Sequence, residues 1–531
     1  MSLGERKEDM NKLTKGLGIV AAVGLALAGL AGCAPQKPLA QPSKPPSPTQ
    51  TVDQPNLAAY YSQDLQWKNC GGDFECAMLE VPLDYANPQG EHAKIAMKRL
   101  NTANRETRIG TLIMNPGGPG GSGLENMKPE NVAYFFSDTV RNYYDVLGFD
   151  PRGVGASQPA IECRTDQELD QDNSTYYDLS TEAGRAADVA DYKALGEKCL
   201  KNSPQMTRFA STENTARDLD IMRAALGDER LYYLGFSYGT YLGAIYADLF
   251  PSRVGRMVLD GVLDPSLNMN QVSALQASGF EASLREFVTE CQQKHAKQCP
   301  LHGDVDAGMA QIKALLDSLK TNPMPAKRGR ELTAPQAFTG LIGNMYNTAS
   351  WWQQLLPALN QALNEADGTG LLNSADYYNE RNVDGTYDNN SSDAFVVINS
   401  LDYEPVGDMA QWEADAAKME ADYPTVGEFF SYSSLGAENW PVKAKTTAKR
   451  EVNPPLEDDI LLIGTTGDPA TPLKMAQHTR QMMDHSKLLT VQGWNHTAYN
   501  SYAPGCVKTI TDTYLVSGKI EAANSGTCQV D

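Results

Sequence analysis

The sequence predicts an α/β fold: a mostly parallel central sheet with helices on both faces, interrupted by a large, mainly helical insertion. Three observations predict it. Short apolar runs at residues 111–114, 144–149, 231–236 and 257–259 are separated by loops and helix-like segments, and strands apolar on both sides belong in a sheet covered twice. That alternation stops near residue 263 and resumes at 460–463 and 488–491. In between, helical stretches such as 274–291 and 307–319 dominate, which reads as an insertion into a single sheet domain.

Taken in order, the chain opens on a segment that is not part of the fold. Lys12 and Lys15 precede an apolar run at 17–30, too short to span a bilayer comfortably and suited to a signal-peptide core. The run ends in Leu30-Ala31-Gly32-Cys33, which resembles the bacterial lipobox, where the cysteine takes lipid and becomes the new N-terminus. Residues 1–33 are therefore expected to be a lipoprotein signal peptide, with membrane attachment through a lipid on Cys33. The alternatives are an ordinary secretory signal or an uncut anchor. Residues 34–60, rich in Pro, Gln, Ser and Thr, are expected to be a linker. The sheet domain is expected at 61–262 and 446–531, with the insertion, a cap, at 263–445.

Nine cysteines and a net charge of −21 bound the function. Setting Cys33 aside leaves eight, an even number that suggests disulfides in an exported chain. They fall into four pairs close in sequence, so the expected connectivity is sequential: Cys70–Cys76, Cys163–Cys199, Cys291–Cys299 and Cys506–Cys528. No Cys-x-x-Cys occurs, so no metal site is expected, and no cofactor is called for. The acidic surface argues against nucleic acid as a partner, because phosphate binding needs clustered Lys and Arg. Oligomeric state is not legible.

Within the sheet domain, Leu219, Met222, Ala225 and Leu226 recur at helical spacing between Thr212 and Gly227. Ser211 or Thr212 suits the N-cap and Gly227 the stop. Strand 231–236 follows, then a helix at 241–250 closed by Pro251.

Gly235-Phe236-Ser237-Tyr238-Gly239 lies between that strand and that helix. A strand-to-helix turn this tight needs small neighbours, and it presents the serine above a helix N-terminus. Ser237 is the expected nucleophile. Asn115-Pro116-Gly117-Gly118-Pro119-Gly120-Gly121-Ser122-Gly123 follows an earlier strand, where an oxyanion loop belongs. The expected donors are the N–H groups of Gly118 and Tyr238. A phosphate-cradling loop is the rival, but neither the P-loop nor the dinucleotide fingerprint is present.

The acid and base should follow the serine in the order Ser, Asp, His. Of six histidines, His496 sits just after the last clear strand and is the expected base. His478 and His485 fall on a helix and its end, and His295 and His302 in or near the insertion. Asp468 follows strand 460–463 in Gly467-Asp468-Pro469. Such an Asp can be a turn residue, but its place between Ser237 and His496 makes it the expected acid. Asp260 and Asp264, also after a strand, are rivals.

These segments together resemble the tripeptidyl aminopeptidase group of the α/β-hydrolase superfamily, exported serine peptidases related to prolyl aminopeptidases. The resemblance rests on 115–123, on Gly148-Phe149-Asp150-Pro151-Arg152-Gly153-Val154-Gly155, on 234–263 and on Asp468-Pro469-Ala470-Thr471-Pro472. It implies an α/β-hydrolase fold, a triad of Ser237, Asp468 and His496, and release of di- or tripeptides from peptides with a free N-terminus. Two departures stand out. Trp494 and Asn495 precede the histidine where the group has a small residue, and Asn399-Ser400-Leu401-Asp402 replaces a Cys-x-Asp-like segment. The implied chemistry needs a carboxylate to hold the substrate ammonium; Asp402 is the candidate, with Glu404 nearby. An esterase with the same triad is the alternative, and a non-catalytic binding lipoprotein the third reading.

Overall fold

The computed structural model describes residues 55–443 and 450–531. The expected signal peptide with Cys33, most of the linker and the boundary at 445–446 lie outside the described residues.

The strands are β1 (Lys68–Asn69), β2 (Phe74–Pro82), β3 (His92–Leu100), β4 (Gly110–Asn115), β5 (Tyr144–Phe149), β6 (Leu231–Phe236), β7 (Val254–Asp260), β8 (Met324–Pro325), β9 (Glu331–Leu332), β10 (Ile460–Thr465), β11 (Ser486–Val491) and β12 (Cys528–Val530). All but β8 and β9, which form a small hairpin in the insertion, build a sheet ordered β1-β2-β3-β5-β4-β6-β7-β10-β11-β12. From β5 to β11 neighbours are parallel; β1–β3 and β12 pair antiparallel at the two edges. This is the α/β-hydrolase fold.

Side chains of successive strand residues point to opposite faces, and each central strand supplies both cores. Ile113, Leu147, Tyr233, Leu259 and Leu462 belong to one buried cluster. Their neighbours Leu112, Val146, Leu234, Val258 and Leu461 belong to the other. The first face is covered by helices Thr212–Ala225 and Tyr238–Leu249, through Leu219, Met222, Tyr241 and Ile245. The second is covered by helix Gly505–Ser517, through Val507, Ile510, Tyr514 and Leu515. Ser211 caps helix Thr212–Ala225 by accepting from the Asn214 N–H, a contact of about 1 kcal/mol. Gly227 beyond it has φ 78°.

Residues 263–443 are helical apart from the hairpin, and most of them share a core of their own around Phe280, Phe287, Leu316, Leu341, Trp351 and Leu359. Helix Ser391–Asp402 and Trp440 are exceptions. Ala394, Val397, Ile398 and Leu401 are buried with the sheet domain's cluster, so the insertion is not segregated from the domain it interrupts.

The expectation that residues up to 60 form a linker needs correction. Leu57 and Tyr60 are buried in the main core. The Tyr60 hydroxyl donates to Pro88 O (2.7 Å) and meets His92 Nδ1 at 2.5 Å. The polar composition of the preceding residues masks this apolar foothold. Cys70–Cys76, Cys163–Cys199, Cys291–Cys299 and Cys506–Cys528 are each bonded. No described helix is long and apolar enough to cross a membrane.

Candidate active site

The ends of β4, β6, β7 and β10 lie side by side, with Asn115 opposite Gly235, Phe236 opposite Asp260, and Asp260 opposite Ile463. Ser237 follows β6 immediately. Its φ is 54° and ψ −123°, a conformation costly for a residue with a side chain. Three hydrogen bonds hold it: its N–H donates to Asp260 O (2.9 Å), while its carbonyl accepts from Thr240 N (2.8 Å) and Thr240 Oγ1 (2.6 Å). The flanking glycines are required by space. A Cβ on Gly235 would lie 2.4 Å from Gly239 O, and one on Gly239 would lie 2.7 Å from Asn115 O.

The glycine loop after β4 packs against this turn. A Cβ on Gly117, whose φ is 99°, would lie 2.6 Å from Phe236 O and 3.3 Å from Tyr238 N, so the loop approaches by backbone alone. Asn115 Oδ1 accepts from Gly117 N (3.0 Å). Ser122 Oγ donates to Asp150 Oδ1 (2.6 Å), and Asp150 also accepts from Leu124 N and Ala156 N. Asp150 thus ties the loop's far end to the Asp150-Pro151-Arg152-Gly153 turn. Neither Asn115 nor Asp150 was singled out as functional from the sequence; the motifs containing them are the only signal. Among the described residues, the N–H groups of Gly118 and Tyr238 have no acceptor. They are free to donate to an oxyanion, as Tyr238 at the first position of its helix must be.

Asp468, buried at 2 % exposure, faces His496. His496 Nδ1 lies 2.9 Å from Asp468 Oδ1 and 3.0 Å from Oδ2. An ionised carboxylate only accepts, so the proton sits on Nδ1 and Nε2 is left as the acceptor. Asp468 is itself fixed by Ala470 N (3.0 Å), Thr471 N (2.8 Å), Thr471 Oγ1 (3.0 Å) and Thr497 N (3.1 Å). Burial works against the imidazolium. The Asp468 charge and hydrogen bond, with a contribution from Asp260, outweigh it and hold the His496 pKa above its ordinary value. A Cβ on Gly261, just past the strand residue that binds Ser237 N, would lie 3.3 Å from His496 Cε1. Among the described residues no hydrogen bond joins Ser237 Oγ to His496; such contacts are often long without substrate and tighten in the complex.

The rival acids have other work. Asp260, fully buried, accepts from Ala498 N (2.9 Å) and Tyr499 N (2.7 Å) and so shapes the loop that carries His496. Burial pushes its pKa up to about 6, against the pull of those two N–H groups. Asp264 meets His478 Nδ1 at 2.5 Å. His295 packs on Trp352, with ring centroids 3.9 Å apart, and His485 lies 3.9 Å from Asp459.

The assignment of Asp402 to the substrate amine is overturned. Asp402 has no exposed surface. One oxygen accepts from Thr212 N (2.8 Å), the other from Thr212 Oγ1, which also meets the Tyr238 hydroxyl. It is a fastening between the insertion and the start of helix Thr212–Ala225. Burial raises its pKa to about 7, against the Thr212 hydrogen bonds. Glu404 is exposed just beyond helix Ser391–Asp402 and does not line the cavity at the glycine loop.

A cavity of about 690 Å³ does open on Gly117 and Gly118, and Glu125, Glu380 and Asp388 line it. Lys128, also at its wall, pairs with Glu125. The sequence offers no periodicity or motif that would single out these acids, and Glu125 lies far along the chain from Glu380 and Asp388.

A strained serine over a helix start, with a buried Asp–His pair at the neighbouring strand ends, defines a serine hydrolase of the α/β-hydrolase class. Residues 110–299 match the family model described as alpha/beta hydrolase fold, and residues 423–528 the model described as TAP-like protein. Serine protease Hip1 of Mycobacterium tuberculosis is 33% identical over 476 residues, covering 86% of this chain and 89% of that protein. Tripeptidyl aminopeptidase of Streptomyces lividans is 30% identical over 477 residues, covering 86% and 85%. Carboxylesterase B of Mycobacterium tuberculosis is 32% identical over 514 residues, covering 94% and 95%. The chain belongs to the tripeptidyl aminopeptidase group of the α/β-hydrolase superfamily and is a serine hydrolase of a peptidase group.

Proposed function

We propose that the protein is an exported exopeptidase that releases di- or tripeptides from free N-termini through an acyl-enzyme. The observation that carries this reading is the cavity beside Gly117 and Gly118, whose wall bears Glu125, Glu380 and Asp388. An ammonium group at those carboxylates would fix the distance from the substrate's N-terminus to the bond that is cut. The excess of negative charge there suits a cationic chain end and disfavours a blocked one.

In this mechanism His496 Nε2 takes the Ser237 proton as Oγ attacks the substrate carbonyl. The N–H groups of Gly118 and Tyr238 receive the oxyanion, and Asp468 holds the imidazolium. The proton passes to the leaving amine and the C–N bond breaks. Water then attacks the acyl carbonyl as His496 takes its proton; the bond to Ser237 Oγ breaks, His496 returns the proton to Oγ, and the peptide acid leaves. Export, with a lipid on Cys33, is supported by the charged and apolar character of residues 1–33 and by four disulfides.

An esterase is the second reading, favoured by the relative named carboxylesterase B. Peptide anilides with free and acetylated N-termini separate the two. The exopeptidase cleaves the free form much faster; equal rates on both would exclude it. Ser237→Ala should abolish turnover and labelling by a fluorophosphonate. Failure of the wild type to label would instead favour the third reading, a binding lipoprotein.

A further inference from the structure

His496 sits in a loop held from two directions. On its C-terminal side Thr497 has φ 65°, a costly conformation for a β-branched residue. Asp468 and Asp260 hold that stretch by accepting from the N–H groups of Thr497, Ala498 and Tyr499. On its N-terminal side Thr466 and Gly467 of the sheet domain bind Gly493, and the holding groups nearer the histidine come from the insertion. The His496 N–H donates to Tyr346 O (3.0 Å), and the Tyr346 ring stands edge-on to the imidazole, centroids 5.1 Å apart. Asn495 Oδ1 accepts from both Thr348 N (3.0 Å) and Thr348 Oγ1 (3.1 Å). Trp494 lies against Gly467, where a Cβ would come within 2.3 Å of its ring, and packs on the insertion's core. Trp494 and Asn495, the two residues before the histidine, are thus the ones that reach out of the sheet domain.

A strained backbone persists only when its surroundings over-determine it. Two carboxylates on one side fix where Thr497 to Tyr499 lie, but the direction in which His496 leaves Gly493 depends on the other side. There, among the described residues, the side chain that makes a hydrogen-bonded clamp next to the histidine is Asn495, on Thr348.

We propose that Asn495 is a positioning residue for the catalytic base: by binding Thr348 it makes the alignment of His496 depend on the insertion being seated. The insertion then supplies part of the base's support as well as shaping access. The inference rests on His496 being the base. A ring displaced by a fraction of an ångström transfers the Ser237 proton poorly, while substrate binding at the cavity wall is untouched.

The test compares Asn495→Ala, Thr348→Val, Thr348→Ser and the double variant Asn495→Ala/Thr348→Val, with active sites titrated to completion by a fluorophosphonate. Asn495→Ala should lower kcat per titrated site roughly 10- to 100-fold, the scale expected when a reacting group is misplaced by up to about 1 Å, with KM close to wild type. Thr348→Val should lower kcat by a smaller factor, Thr348→Ser should recover it, and the double variant should be no worse than Asn495→Ala alone. Wild-type kcat in Asn495→Ala, or a loss confined to thermal stability or to the fraction of titratable sites, would overturn the proposal. So would additive effects in the double variant. Ser237→Ala and His496→Ala run beside them separate the two levels. If those retain turnover, the triad itself is misassigned; if they are inactive and Asn495→Ala is not impaired, only the positioning role fails.

Discussion

Ser237 and Asp402 show how differently a single residue's surroundings can be used. Ser237 is held in a costly backbone conformation by three hydrogen bonds and by glycines that leave room for it. Asp402 is a buried carboxylate whose described hydrogen-bond donors both belong to Thr212. Its pKa, near 3.8 when exposed, is raised to about 7, so the fold favours its protonated form. The corresponding stability is fully present below the unfolded value and is lost as pH rises through 7. Asp402→Asn, which cannot ionise, should therefore gain in melting temperature relative to wild type between pH 5 and 8, read by calorimetry. An unchanged difference across that range would mean that Asp402 is not strained by burial.

Among the elements, the parallel strands were legible because each is apolar throughout and short. β5 and β6 fall where the apolar runs place them, and β4, β7, β10 and β11 extend those runs by two to four residues. The antiparallel strands β2 and β3 were not. β2 carries Glu75 and Glu80, and β3 carries Lys94, Lys98 and Arg99, among their apolar residues, so neither forms a continuous apolar run. Helix Glu182–Asn202 was missed for a similar reason: it buries only Gly196 and Cys199, so it has almost no apolar stripe to read. Cys163–Cys199, a closure of 36 residues, adds a covalent hold to the packing of Tyr192 and Leu195 on the core. Replacing both cysteines by serine should cost about 4 kcal/mol on a loop-entropy basis, measured by denaturant unfolding. Arg152 holds a neighbouring turn: it has no exposed surface, and it donates to Asp218 (2.6 Å), Pro82 O, Leu83 O and Phe209 O. All of its hydrogen-bonding edges are met, as a buried guanidinium requires.

For the molecule as a whole, the insertion and the sheet domain are interdependent. Asp402 reaches Thr212, Thr348 reaches Asn495, and Tyr346 reaches His496. The cavity beside the oxyanion loop combines residues of the sheet domain, Glu125 and Lys128, with residues of the insertion, Tyr377, Glu380 and Asp388. Glu380, at φ 56°, is braced by the return of the chain through Asp388 N to Glu380 O (3.1 Å). If that wall receives the substrate ammonium, Glu380→Gln should raise KM for free-amine peptides by roughly tenfold, the scale of one charged hydrogen bond. It should also narrow the gap between free and acetylated substrates. An unchanged KM would move the amine site elsewhere.

The sequence alone determined the parallel strands, the helical stretch between β7 and β10, and the order Ser237, Asp468, His496 along the chain. Strand periodicity and the steric demands of a tight turn are local, and local constraints leave marks in neighbouring residues. Only the tertiary structure decided which carboxylates face the cavity, that Asp402 lies buried behind Thr212, and that Trp494 and Asn495 bind the insertion. Those facts depend on contacts between residues more than a hundred positions apart, where no spacing rule operates and burial alone assigns the role.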